Sequence, residues 1–268
     1  MKKSLSTLFL VLLLSGLSLT ACGLLQEPEA ASGPIEAIPL ATEPADMTAP
    51  TDAPAEPAVA VEPTAAEATA EPVATDEPAA PTEAPAEPAG AAAVYTIDQA
   101  GSQVRFQLDE DLRGQRVTVV GVTDQVAGQM SVNLADLSQT QVGVIQINAR
   151  TLLTDNNFRN RAIQNEILDT GAFEFITFTP TGVEGLPASA AVGDTVSFTI
   201  NGDLTIRDVT LPASFAVEAM VASETQITGT ATAVVNRADY GLQIPSVPNV
   251  ANVEEEVELY IDFTANAS

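Results

Sequence analysis

After Val94, apolar and polar positions alternate along most of the chain, and the alternation is interrupted once. Tyr95 and Ile97, then Val104, Phe106 and Leu108, show the two-residue period of strands with one buried face. Val117 to Val120 and the set Met130, Val132 and Leu134 follow, with Gly114, Gly121 and Gly128 marking turns. Beyond a turn-rich stretch from Thr179 to Asp194, Val196, Phe198 and Ile200 lead through Asn201-Gly202-Asp203 into Leu204 and Ile206 with unchanged parity. Phe215, Val217 and Ala219 predict another strand, as do Ala231, Ala233 and Val235, and Val257 to Phe263 closes the pattern. About eight or nine short strands, each apolar on one face, predict an all-β antiparallel sandwich or barrel.

The interruption lies between Val144 and Pro180. Ile145, Ile147 and Ala149 still alternate, but Phe158, Ala162, Ile163 and Ile167 recur at helical spacing. Thr154, Asp155 and Asn156 are candidate N-caps, and Gly171 is placed to end the helix in a left-handed conformation. Phe173, Phe175, Ile176 and Phe178 then predict a strand. A helix of about 11 residues spans only ~16 Å, which suits a lid or plug at the end of a sheet.

The first 93 residues follow no such pattern. Lys2-Lys3 and the apolar run from Leu5 to Leu19 form a secretory signal, too short and too interrupted by Ser15, Gly16 and Ser18 for a membrane span. Leu19-Thr20-Ala21-Cys22 resembles the lipobox of bacterial lipoproteins, in which the chain is cleaved before the cysteine and the cysteine is acylated. The alternative is an ordinary cleavable signal followed by a chance cysteine. With Gly23 next, an Asp-type inner-membrane retention signal is absent, and which membrane would receive the anchor stays open. Residues 23–93 hold most of the 18 prolines and no Lys, Arg, Phe or Tyr, so they are expected to remain a disordered Ala/Pro/Glu linker. The expected organisation is therefore a signal peptide at 1–21, a lipidated Cys22 with a linker to 93, and a folded domain at 94–268. Such a linker serves as reach, carrying the domain away from a lipid anchor on the outer face of a membrane in the cell envelope.

Charge and chemistry narrow the function. The formal net charge of −26 disfavours nucleic acid as a partner. A chain with no His and with Cys22 as its one cysteine has no Ser-His-Asp or Cys-His machinery, no disulfide and no thiolate metal cluster. Neither calcium-loop spacing nor a phosphate-cradling glycine loop is present, so no cofactor is expected. Asp203 with Asp208, or Asp239 near Glu254 to Glu256, are conceivable acid–base couples; turn and edge ion pairs account for them more simply, and no enzyme is expected.

Four stretches carry a family resemblance. They are Tyr95-Thr96-Ile97-Asp98 with Ser102, Val104 and Phe106; Thr154, Asn156 and Arg159 with Ile167-Leu168-Asp169; Gly202 through Thr210; and Asn236-Arg237-Ala238-Asp239-Tyr240-Gly241-Leu242. Together, in this order, they resemble the YceI-like family over residues 94–266. Asn160 stands where that family usually has Asp, and Asp208 where Gly is common. The resemblance implies a lipocalin-like eight-stranded antiparallel barrel whose apolar lumen binds polyisoprenoid chains in the cell envelope.

Alternation then nominates the lumen. The candidates are Phe106, Ile145, Ile147, Phe178, Phe198 and Ile200, together with Leu204, Ile206, Phe215, Val217, Leu259 and Ile261. A barrel of this size either fills with its own side chains or holds one ligand, and alternation does not choose between them. Arg159 and Arg237 are candidate contacts for the headgroup of a quinone-like or polyprenyl lipid. The other reading has them holding turns through Asp169, Asp208 and Asp239. Two functions follow: a membrane-anchored carrier of an isoprenoid or similar lipid, or a filled barrel acting as a structural or protein-interaction module.

Overall fold

The computed structural model describes residues 26–40 and 90–268, so Cys22 and most of the linker lie outside the described residues. The strands are β1 (Ala93–Ile97), β2 (Gln103–Leu112), β3 (Gln115–Thr123), β4 (Val126–Ala127), β5 (Gln129–Val132), β6 (Gln141–Val142) and β7 (Ile145–Asn148). After the helix α1 (Asn157–Ala162) come β8 (Phe175–Glu184), β9 (Thr195–Ile206), β10 (Val209–Ser223), β11 (Gln226–Asn236), β12 (Val250–Ala251) and β13 (Glu256–Ala267).

From β7 to β11 each strand pairs antiparallel with the next, and β11 pairs with β13 along its length. The other edge of β13 takes β2 at Glu258–Asp262 and β1 at Ala265–Ala267, so β1 and β2 behave as one bent strand. From β2 the ladder passes to β3, whose continuation β4 pairs with β7 through Val126–Ile147 and Ala127–Gln146. The sheet thus curls back on itself as the expected antiparallel barrel. Closure is thinnest at β4–β7, where the chain bends again so that β5 can pair with β1. Gly121 makes one close approach possible: a Cβ there would lie 2.1 Å from Cε1 of the Phe106 ring, its register partner.

Inward and outward positions alternate as the sequence predicts. On β10, Phe215, Val217, Ala219 and Val221 are buried while their neighbours face solvent. The span from Val196 to Ile206 is one uninterrupted strand, as its constant parity implies. The segment after Phe178 differs: β8 runs on to Glu184 through residues whose Gly and Pro content suggests turns. Phe173, expected in this strand, precedes it.

The helix forms where its period places it, with Asn156 as N-cap accepting from the Phe158 and Arg159 amides. A π turn, Ile163–Ile167, continues it. Its exit corrects the sequence reading. Asp169, with φ of 47°, takes the left-handed position, and the amides of Ala172 and Phe173 donate to its carbonyl. An Asx side chain tolerates that conformation, so Gly171 is not needed for it.

A second correction concerns residues 26–40, expected to be part of a continuous disordered linker. They lie along the barrel wall as an extended strap. Ile35 is buried, at 5% exposure, and its carbonyl accepts from Gln99 Nε2 at 2.7 Å. The Ser32 amide donates to Glu174 Oε1 at 2.8 Å, and Glu29 pairs with Arg150 at 2.9 Å. Ile35 and Leu40 are apolar residues that a purely solvated linker would not bury.

Candidate functional site

The lumen contains two chambers. The larger, about 390 Å³, lies under α1 and its π turn. Its walls come from β2 and β3 (Phe106, Leu108, Leu112, Val119), from the lid (Phe158, Ala162, Ile163, Ile167) and from β13 (Val257, Leu259). The segment Leu242–Val253 completes it with Ile244, Pro245, Val247 and Pro248. The smaller, about 100 Å³, lies toward the opposite end and is lined by Ile97, Val132, Ile145, Phe198, Val217 and Phe263 among others. No residue lines both.

The strand registers explain the division. Along β9 the inward residues Phe198 and Ile200 face the small chamber, Leu204 faces neither, and Ile206 faces the large one. Along β11, Ala231, Ala233 and Val235 repeat that order. Leu204, Ile147, Val104 and Ala233 are all buried and line neither chamber, so they form a packed waist. Phe178, paired with Leu204, reinforces it by an edge-on contact with Phe215, ring centroids 4.8 Å apart.

Of the residues nominated by alternation, Phe106, Ile206 and Leu259 line the large chamber. Ile145, Phe178, Phe198, Ile200, Phe215, Val217 and Ile261 line the small one. Ile147 and Leu204 are waist residues. The filled-barrel reading loses its main support, because space on the scale of ligand pockets (~300–1,000 Å³) remains inside. Asp203, Asp208 and Asp239 line neither chamber.

The lid is pinned from inside. Buried Asn160 uses Oδ1 to accept from the Thr154 amide and hydroxyl, both at 2.7 Å. Those acceptor bonds need an oxygen, which Asn supplies as well as Asp, so the family departure at this position leaves the turn intact. Buried Gln164 donates through Nε2 to the carbonyls of Arg150 and Leu152. The loop below the lid is thereby tied to it at two levels.

Polar groups at the rim are few and paired. Arg159 reaches Glu110 at 2.8 Å, and also pairs with Asp155. Both Arg159 and Glu110 line the large chamber, as does Arg237. Arg237 bonds the carbonyls of Leu242 and Glu254 and the carboxylate of Glu255, gathering both ends of the Leu242–Val253 segment. Burial, and then the nearby Asp239 charge, pushes the Tyr240 hydroxyl above its ordinary pKa. The expected partners Asp169, Asp208 and Asp239 are therefore replaced: Arg159 takes Glu110 and Asp155, and Arg237 takes Glu255. Arg207 lies over the Phe173 ring at 5.8 Å rather than on a carboxylate.

Sequence reasoning missed Glu110 and the Leu242–Val253 segment. Glu110 has the inward parity of Phe106 and Leu108, and a carboxylate in that series was the available signal. The segment has no period, only apolar residues spaced by Pro245 and Pro248.

Comparisons with known proteins agree with this architecture. A family model described as the YceI-like domain matches residues 95–265. A polyisoprenoid binding domain from Saccharophagus degradans, implicated in plant cell wall breakdown, is 16% identical with a TM-score of 0.52, covering 65% of this chain and 98% of its own. BcnA from Burkholderia cenocepacia is 16% identical with a TM-score of 0.51, covering 63% of this chain and 99% of its own. At that identity the likeness is one of fold. Comparison with curated proteins finds no match.

Proposed function

Because the chain belongs to the YceI-like domain family, we propose that it is a non-enzymatic binding protein that takes the tail of a polyisoprenoid or quinone-like lipid into its large chamber. The observation that carries this reading is the apolar void of about 390 Å³ between the lid and the barrel. Its strand walls pair their backbones through the ladders, and its lining is mostly hydrocarbon. Each buried methylene contributes about 0.8 kcal/mol, so a prenyl chain is held without a polar handle. Arg159 and Arg237, at the rim, are the groups a phosphate or quinone headgroup would meet. The solved relative described as polyisoprenoid binding supports the ligand class.

The protein is held at the outer face of a bacterial membrane through acylated Cys22, within the cell envelope. Several acyl chains on one residue make such binding stable, where a single chain is marginal. The domain boundaries 1–21, 22–93 and 94–268 belong to this reading, with the strap 26–40 reassigned to the folded part.

Solvent extraction of the protein purified from membranes, followed by mass spectrometry, is expected to release a lipid with an isoprenoid tail in near-stoichiometric amount. Ala162→Phe, which places a ring in the chamber, is expected to abolish loading while leaving the fold intact. Absence of lipid from the native protein, with no uptake of added isoprenoid, would end this reading.

A further inference from the structure

The strap begins on the lid. The carbonyl of Gln26, the first described residue, accepts from Nδ2 of Asn165 in the π turn at 2.8 Å. From there the strap descends past Arg150, whose guanidinium bonds the Ala30 carbonyl and pairs with Glu29. It ends at Leu40, against Gly143 at the other end of the barrel. Cys22 precedes Gln26 by four positions. Fully extended, that length of chain reaches at most ~14 Å. An anchor at Cys22 is thus tied to the lid itself, and the long segment 41–89 lies downstream of the attachment rather than between anchor and domain.

The lid end also carries apolar side chains that the domain leaves uncovered. Phe158, on α1 at the chamber's edge, is 64% exposed, and Leu153, in the loop beneath, is 53% exposed. Leu153 sits on β3 through paired backbone bonds with Val122, so it has a fixed position next to Leu152, which lines the chamber.

We propose that the strap is a clasp that holds the mouth of the large chamber against the membrane bearing Cys22, with Phe158 and Leu153 set into the bilayer. A lipid tail then passes between bilayer and chamber without crossing water. The occupant of this apolar face is the bilayer because the anchor's short reach places the two together. An acidic domain has no electrostatic attraction to anionic lipid, so an apolar contact held by an anchor is the arrangement its charge allows. The proposal rests on the reading of Cys22 as the lipid anchor.

The chain has no tryptophan, so a single introduced one reports its own surroundings. Residues 22–268 carrying Phe158→Trp, coupled through Cys22 to a maleimide phospholipid in phosphatidylcholine vesicles, are compared with the same chain carrying Val192→Trp. Val192 is exposed in the β8–β9 connection, away from the lid. With brominated acyl chains, the Phe158→Trp protein is expected to lose about half its emission and the Val192→Trp protein essentially none. Adding Ile35→Asp, or in a second variant Ser32→Pro, releases the strap and is expected to bring the first value to that of the second, with circular dichroism reporting an intact barrel. Equal quenching at the two positions, no quenching at 158, or quenching that survives strap release would overturn the clasp. Because coupling supplies the anchor chemically, these outcomes are separate from that of the anchor reading. The latter fails if Cys22 of the cell-made protein carries no acyl chains by mass spectrometry.

Discussion

Arg159 and Glu110 face each other at 2.8 Å with side-chain exposures of 18% and 7%, on the wall of a mostly apolar chamber. Removing one partner strands the other. Arg159→Met is expected to destabilise the protein by roughly 2–3 kcal/mol, read as a shift of the urea midpoint, because Glu110 is then buried without its cation. The double variant Glu110→Leu with Arg159→Met should recover most of that loss. A second residue-scale prediction concerns pH. Burial pushes the Glu174 carboxyl up, but hydrogen bonds from Ser32 and Asn148 and the Arg150 charge outweigh it and hold the group below its ordinary 4.5. A carboxylate with a lowered folded-state pKa stabilises above its unfolded value, and that contribution is lost as pH falls through the folded one. Glu174 bonds the strap directly, and Glu29 of the strap faces the same Arg150. Hydrogen exchange at residues 29–36 is therefore expected to lose protection as pH drops below the glutamate range, while β10 keeps its own.

At the scale of elements, the lid is held by side-chain bonds more than by its own length, since α1 with its π turn is only three turns long. Gln164→Leu removes the donor to the carbonyls of Arg150 and Leu152 and is expected to cost about 1–3 kcal/mol. Exchange across residues 149–168 should quicken while β9 and β10 are unaffected, which separates a loosened lid from a loosened barrel. The helix was legible because Phe158, Ala162, Ile163 and Ile167 obey one period. Its exit was not, because a left-handed φ is open to Asp169 as well as to Gly171, and the local sequence does not rank the two. The strands were legible for the same reason as the helix. The chamber's second wall, Leu242–Val253, was not: its shape comes from Arg237 gathering carbonyls, and such bonds leave no periodic trace.

For the whole molecule, composition read residues 23–93 as one solvated tract, and for 26–40 that average misled. A few apolar residues, Ile35 above all, are diluted by Ala, Pro and Glu in any window long enough to register as a linker. Shortening 41–89 by half is expected to leave the thermal midpoint of the domain unchanged, whereas deleting 26–40 should lower it by several degrees, the effect of about 1–2 kcal/mol. Calorimetry of the two deletions distinguishes an attached strap from a passive spacer. The lumen itself was legible as an apolar interior, but whether it was hollow was not, because alternation is identical for a wall and for a core.

The waist gives that interior a floor. A hydrocarbon tail entering beneath the lid runs until it meets Leu204 and Phe178, and further descent requires the contact with Phe215 to open. For the isoprenoid guest proposed above, the chamber would act as a dipstick. Across a homologous series of isoprenoids, affinity should climb with each added unit, then level off sharply once the terminal methyl groups touch bottom. Leu204→Ala should move that plateau to longer chains by joining the upper space to the lower one.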